Sequence, residues 1–241
     1  MSQLLTSNAP VNQSVERAVR LLSFFSPEEP ELSLAQLTER LGTSRATTHR
    51  YTLALRRVGL LRFDAGAYSL GPRVVELAAT ALAGLRIVRV AGATMQRLVA
   101  ELNETVVLSI WDGEQPVVMR VDDNTDRLVR IVVRVGARLP RSDSAQGKVF
   151  LAFAPDGGEL SAVEREEIQT TRIAANSQVV DGIRAIATPV FQGDEVTAAM
   201  AVVGTIVSLP DDPGSAVALR LRAAAEALSA DLGFLSDERS A

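Results

Sequence analysis

Residues 33–71 read SLAQLTERLGTSRATTHRYTLALRRVGLLRFDAGAYSLG, and this stretch decides the fold of the first third of the chain. Ser33 can cap a helix whose apolar face is Leu34, Ala35, Leu37 and Leu41. Gly42 stops that helix in the left-handed manner usual for a glycine after the last periodic leucine, and Thr43-Ser44 at once supplies a hydroxyl cap for the next. In the second helix Thr48, Tyr51, Leu55 and Val58 recur at three- and four-residue spacing and predict one buried stripe. The opposite face carries Arg45, Ala46, His49, Arg50 and Arg57. Gly59 ends the helix, and Leu60–Phe63 and Tyr68–Leu70 flank Asp64-Ala65-Gly66-Ala67, a glycine-containing hairpin loop. Two short helices, a tight turn and a two-stranded wing, in that order, are a winged helix-turn-helix.

That motif puts the first turns of its second helix into the major groove, where side chains meet base edges. Arg45, Thr47, His49 and Arg50 occupy those turns, with Ser44 at the cap. Ser33 would offer its hydroxyl and the free amides of its helix to a phosphate, and Arg17, Arg56 and Arg62 would clamp the backbone. The plainer alternative is a solvated polar face on a protein-interaction module. Charge favours DNA: residues 1–90 hold eleven arginines against seven acids, whereas the rest of the chain is acidic and the whole carries a formal charge of −4.

With 241 residues, 47% of them hydrophobic, the chain can build two domains with ordinary cores. It has no cysteine, which excludes disulfides, thiolate metal sites and cysteine nucleophiles. The start, MSQLLTSNAPVNQ, lacks a basic segment followed by a long apolar run, so residues 1–13 read as a flexible arm rather than a targeting signal. The longest nearly apolar stretch, Val196 to Leu209, is too short to span a bilayer. A soluble, cytoplasmic protein without membrane contact is the expectation.

Two further helices frame the head. Ser14 can cap a helix running to Phe25 with Val15, Ala18, Leu22 and Phe25 inward, and Pro27 and Pro30 terminate it. After Pro72 a second stripe, Val74, Leu77, Ala78, Ala81, Leu82 and Leu85, predicts a linker helix over 72–87 that doubles as a dimer seam. Beyond it the pattern changes. A helix over 88–102 precedes extended runs at Thr105–Trp111, Pro116–Asp122 and Leu128–Val135, then helices near Ser144–Phe153 and Ser161–Arg172. Strands at Ile183–Phe191 and Val196–Val207 meet at Gln192-Gly193-Asp194-Glu195, and a last helix covers Ala216–Leu232. Hairpin-linked strands with helices at both ends predict an α+β domain on an antiparallel sheet over 88–235, after the head at 14–71, with residues 236–241 as a tail.

Over residues 14–234 the chain resembles the IclR family of bacterial transcriptional regulators. The resemblance is carried by Ser33-Leu34-Ala35-Gln36-Leu37, Thr47-Thr48-His49-Arg50 and Tyr68-Ser69-Leu70-Gly71-Pro72-Arg73. In the second domain it is carried by Val135-Gly136-Ala137-Arg138-Leu139-Pro140, Ala145-Gln146-Gly147-Lys148 and Ile186-Ala187-Thr188-Pro189-Val190-Phe191. It implies a winged helix-turn-helix, a linker helix and a GAF-like effector-binding domain, in dimers or dimer-of-dimers tetramers on palindromic double-stranded operators. It makes Ser33, Arg45, Thr47 and Arg50 DNA contacts. It also implies an effector site between the sheet and the loop entering the Gly147-Lys148 helix, at Leu128, Ile131, Ala145, Gln146, Ile183, Ala185, Ala201 and Val203. Relatives that bind small carboxylates line this site with serines, a cysteine and an acidic residue. Here Ala185, Ala201 and Val203 stand there, Gln178 is near the acidic position, and the 154–181 segment is short. An aliphatic lining predicts a larger, weakly polar or aromatic metabolite, since a buried unpaired carboxylate costs several kcal/mol.

Other signals weigh less. A Schiff-base role for Lys148, the only lysine beside 24 arginines, ranks below capping or pocket-edge packing. Ser142-Asp143-Ser144 lacks a histidine partner, because His49 is the only one. Asp122-Asp123 and Asp126 read as a solvated loop before they read as a cation site, and a zinc site is disfavoured. Trp111 and Met119 read as core, though either could border the cavity. The expectation is a ligand-responsive transcriptional regulator, more readily a repressor, with no catalytic residues, metal or cofactor. The alternative is a DNA-tethered enzyme or a ligand-independent assembly factor using the same head.

Overall fold

The computed structural model describes residues 12–123, 133–155, 158–176, 182–210 and 212–233, and the chain divides into two compact units, 1–84 and 85–241. The first runs α1 (Gln13–Leu22), β1 (Leu32–Ser33), α2 (Leu34–Leu41), α3 (Arg45–Arg57), β2 (Leu61–Asp64), β3 (Ala67–Leu70) and α4 (Pro72–Gly84). Leu21, Leu32, Leu37, Leu41, Leu55, Leu61 and Tyr68 form its core. Each such leucine contributes roughly 1.5–3 kcal/mol by leaving water. Gly42 caps α2 at φ 64°, and Ser33 makes a full capping box with Gln36. The wing turn is two residues long, with positive φ at Ala65 (48°) and Gly66 (87°), the requirement of a type I′ hairpin. Gly71 allows no other residue, because a Cβ there would lie 2.1 Å from the Gly59 carbonyl oxygen. The chain leaving the wing is thereby held against the end of α3.

Several expectations change. Asn12, not Ser14, caps α1 and accepts the Ser14 amide, and α1 ends at Leu22 rather than Phe25. Val15 is 58% exposed, and Leu21 is the anchor instead. On α3 the stripe rotates: Thr48, Thr52 and Leu55 are buried, Tyr51 is half-buried and Val58, at the C-cap, is 58% exposed. A third strand, β1, pairs antiparallel with β3, giving the order β1-β3-β2. The helix expected over 72–87 ends at Gly84, and none of its residues is buried.

The second unit opens with α5 (Arg86–Leu102) and builds an antiparallel sheet of order β5-β4-β8-β7-β6. Its strands are β4 (Thr105–Trp111), β5 (Pro116–Asp122), β6 (Ala174–Ala175), β7 (Ile183–Gln192) and β8 (Glu195–Thr205). The helices α6 (Ala145–Phe153), α7 (Ala162–Thr171) and α8 (Ala216–Asp231) complete it. Strand alternation sorts the sheet's side chains into two faces. Val106, Leu108, Ile186, Val190, Met200 and Val202 pack with α5 and α8. Ala187, Ala199 and Ala201 pack under α6, and small residues there let that helix lie close. Of the strand expected at Leu128–Val135, residues 128–132 lie outside the described residues and 133–135 are not in a strand.

Candidate nucleic-acid interface and effector cavity

In the head, Ser44 caps α3 by accepting the Thr47 amide at 3.2 Å and donating to Thr47 Oγ1 at 3.0 Å. Thr43 and Thr48 hydroxyls meet at 2.9 Å on the buried side, so the turn is tied from within. Arg45, Ala46, His49 and Arg50 are exposed and Thr47 is half-buried. The guanidiniums of Arg17, Arg45, Arg50, Arg57 and Arg62 have no hydrogen-bond or acidic partner among the described residues. By contrast Arg40 is held bidentately by Glu29 at 2.8 Å and Arg73 by Glu76 at 2.6 Å. Cations left unpaired on one face are free to meet phosphates or guanine edges. Ser33 differs from expectation: its hydroxyl donates to Gln36 Oε1 at 2.7 Å and its amide to the same oxygen at 2.9 Å. What α2 has left for a phosphate is therefore its first free amides.

Two contacts invisible to sequence periodicity fix the wing on α3. The Thr52 and Tyr68 hydroxyls meet at 3.2 Å, and the Arg56 guanidinium lies 5.2 Å from the centre of the Phe63 ring. Arg56 thus also braces the wing, a role the sequence did not suggest. Both partners lie more than six residues apart in the chain, beyond any helical or strand period.

In the second unit a cavity of about 350 Å³ lies between the sheet and the N-terminus of α6. Its described lining includes Val133, Leu139, Gln146, Ile183, Ala185 and Val203, with Asp143, Ser144, Ala145 and Asn176. Ser144 caps α6 by accepting the Gly147 amide at 3.0 Å. Gly147 is obligatory, since a Cβ would sit 2.0 Å from the Arg141 carbonyl oxygen, and this contact presses the 140–144 loop onto the helix. Asn176 closes one wall by accepting the Ala185 amide at 2.9 Å and donating its own amide to the Ala185 carbonyl at 3.1 Å. Another wall, at Leu139, is tied to the β5 edge by its amide bond to the Pro116 carbonyl, 2.9 Å. Beside it Arg138 pairs with Asp112. Burial pushes the Asp112 carboxyl upward, but the Gln115 and Glu114 amides and Arg138 outweigh it and hold its pKa at about 2.

The IclR helix-turn-helix domain model matches residues 14–65, and the model described as bacterial transcriptional regulator IclR C-terminal matches residues 79–179. The solved structure of Pseudomonas aeruginosa HmgR is 31% identical, with a TM-score of 0.72 over 92% of this chain and 99% of that one. The chain belongs to the IclR family of bacterial transcriptional regulators. A further relative is the HTH-type transcriptional regulator XynR of Escherichia coli strain K12, 27% identical over 93% of this chain and 99% of its own. An IclR homologue from Microbacterium hydrocarbonoxydans, solved in complex with 4-hydroxybenzoate, shares the fold at a TM-score of 0.74 and 22% identity, over 91% of this chain and 98% of that one. The matched families and relatives are transcriptional regulators, not enzymes. The chain is therefore a regulator with a DNA-binding head and an effector-binding C-terminal domain.

Among the IclR effector positions named from sequence, Ala145, Gln146, Ile183, Ala185 and Val203 come together in the cavity. Ala201 does not line it: it is fully buried beneath α6. Leu128 and Ile131 lie outside the described residues, as does Gln178. Leu139, Pro140 and Asn176 were missed because they sit in irregular segments flanking strands too short to show alternation. Lys148 is buried and held by Glu164 at 2.6 Å, an ion pair rather than a free amine. Trp111 packs its ring 5.5 Å from that of Phe150, beneath Arg141, and does not line the cavity.

Proposed function

We propose that this regulator is a cytoplasmic, ligand-responsive repressor whose C-terminal domain takes up a weakly polar or aromatic metabolite and thereby changes operator affinity. The observation that carries the reading is the outward, unpaired arginine face of α3. Arg45, Thr47, His49 and Arg50 would enter the major groove, with Ser44 ordering the first turn and Arg17 and the start of α2 at Ser33 on the backbone. The effector would occupy the cavity at Ala145, Gln146, Ile183, Ala185 and Val203, whose described lining holds no cation to receive a buried carboxylate. No metal or cofactor has a part in this reading.

A winged helix alone spans a short half-site, so a homodimer or a dimer of dimers on a palindromic operator completes it. Support comes from α4, whose Val75, Leu77 and Leu82 are 71%, 52% and 38% exposed. Within the chain nothing covers them among the described residues. The division into arm, head (14–71), linker helix, effector domain (88–235) and tail belongs to this proposal. The test is a footprint on DNA upstream of the regulator's own gene, with and without candidate metabolites. Arg50→Ala should weaken operator binding by roughly 1–3 kcal/mol while random-sequence DNA is held as before. Equal losses on both DNAs would make Arg50 a phosphate contact, and no footprint at any site would overturn the reading.

A further inference from the structure

We propose that the effector is an uncharged aromatic compound bearing a hydroxyl group, and that Gln146 is the residue that selects it. This rests on the cavity being the effector site. Gln146 is the second residue of α6, lines the cavity, is only 3% exposed as a residue, and its side chain makes no hydrogen bond among the described residues. A carboxamide has two donors and an acceptor, and this one, without a partner among those residues, spends its slight remaining exposure on the cavity it lines. The polar neighbours do not supply the missing bonds. The Ser144 hydroxyl is taken up by the Gly147 amide and the Pro140 carbonyl, and the Asn176 side chain accepts from the Ala185 amide. A ligand that enters the cavity therefore finds the Gln146 carboxamide free to bond it in place of water.

The rest of the lining says what that partner looks like. Ala185 and Val203 sit directly opposite one another in the β7–β8 ladder and give a small, level apolar floor. Val133, Leu139 and Ile183 add aliphatic walls. A flat ring seats on such a floor with its faces against methyl groups, and its hydroxyl can donate to Gln146 Oε1 while accepting from Nε2. A carboxylate is disfavoured. No Lys, Arg or His lines the cavity among the described residues, and Asp143 contributes a carboxylate of its own with no ion-pair partner there. An anion would give up water against an aliphatic lining, with the exposed Asp143 carboxylate at the rim.

The test is isothermal titration of the full chain with three probes: 4-hydroxybenzyl alcohol, toluene as the ring without hydroxyl, and 4-hydroxybenzoate as the anion. The wild type should bind the alcohol at least tenfold more tightly than either of the others. Gln146→Leu should lose about tenfold for the alcohol, hold toluene as tightly or more so, and melt no lower than the wild type. Gln146→Asn, which keeps the carboxamide on a shorter stem, should fall between the two and serves if the leucine variant does not fold. Asp143→Asn should tighten 4-hydroxybenzoate. If Gln146→Leu loses the alcohol and toluene equally, or if 4-hydroxybenzoate is the tightest wild-type ligand, the assignment of Gln146 is overturned while the effector cavity stands. Failure of the wild type to bind any of the three overturns the ligand class, and failure to bind any small molecule overturns the cavity reading as well.

Discussion

Helices α3 and α6 begin alike and end up opposite. Each starts from a serine whose hydroxyl accepts the amide three residues on, Ser44 from Thr47 and Ser144 from Gly147. On α3 only Thr48, Thr52 and Leu55 are buried, so its charged side chains face solvent and partners approach from outside. On α6 every residue from Ala145 to Ala152 is buried, and the only long polar side chains carried inward are Gln146 and Lys148. The lesson is that function is found by different signs in the two units. On an exposed helix it lies in unpaired charge; on a buried one it lies in the polar exceptions to an apolar surround, and of those the paired one, Lys148, is structural.

The sharpest way to break this comparison is Gly147→Val. Because a Cβ there collides with the Arg141 backbone, the variant should cost the effector unit roughly 3 kcal/mol while the head keeps its own stability. Calorimetry reads the outcome; two units melting together at the lowered temperature would mean the halves are one cooperative body. A middle-sized effect is expected of the paired cap deletions. Ser44→Ala and Ser144→Ala should each cost about 1 kcal/mol. The first should weaken operator binding in fluorescence anisotropy and the second should weaken binding of 4-hydroxybenzyl alcohol; reversal of that pattern would deny the two helices separate tasks.

The smallest effect is electrostatic. Asp112 has a folded pKa of about 2 against an ordinary 3.8, so its contribution is complete above pH 3.8 and is lost as pH falls through 2. Asp112→Asn should therefore destabilise slightly at neutral pH, lose that effect as pH falls below 2, and flatten the acid limb between. Urea titrations across that range would show it, and a variant curve parallel to the wild type would remove the Asp112–Arg138 pair from the support of the cavity wall.

Much of the head was legible because its signals are local. Ser33, Gly42, Ser44 and the Ala65-Gly66 turn act within four residues of themselves, and the structure uses each as punctuation. In the second unit β4 and β5 also ran where the alternation placed them, separated by the Asp112-Gly113 turn. Most of the misreadings concern which apolar positions the rest of the chain covers, which the period alone does not tell. Val58 fits the α3 period but lies past the last residue that the core can reach, and Val15 loses its place to Leu21 for the same reason. The α4 stripe is real in sequence yet uncovered in the chain. Buried on all sides, α6 offers no period at all, so family likeness rather than pattern pointed to Gln146. Ala201 shows the limit of that likeness, since it shares a face with Val203 but lies under the helix instead of beside the cavity.

The Lys148–Glu164 pair has a last consequence. Because Lys148 is the sole lysine and is shut inside the effector unit, the head draws its positive side-chain charge from arginine. Guanidinium stays protonated at any pH a cell tolerates and offers nothing to enzymes that acylate lysine. The head's pull on a polyanion is thus adjustable by ionic strength but deaf to lysine acetylation.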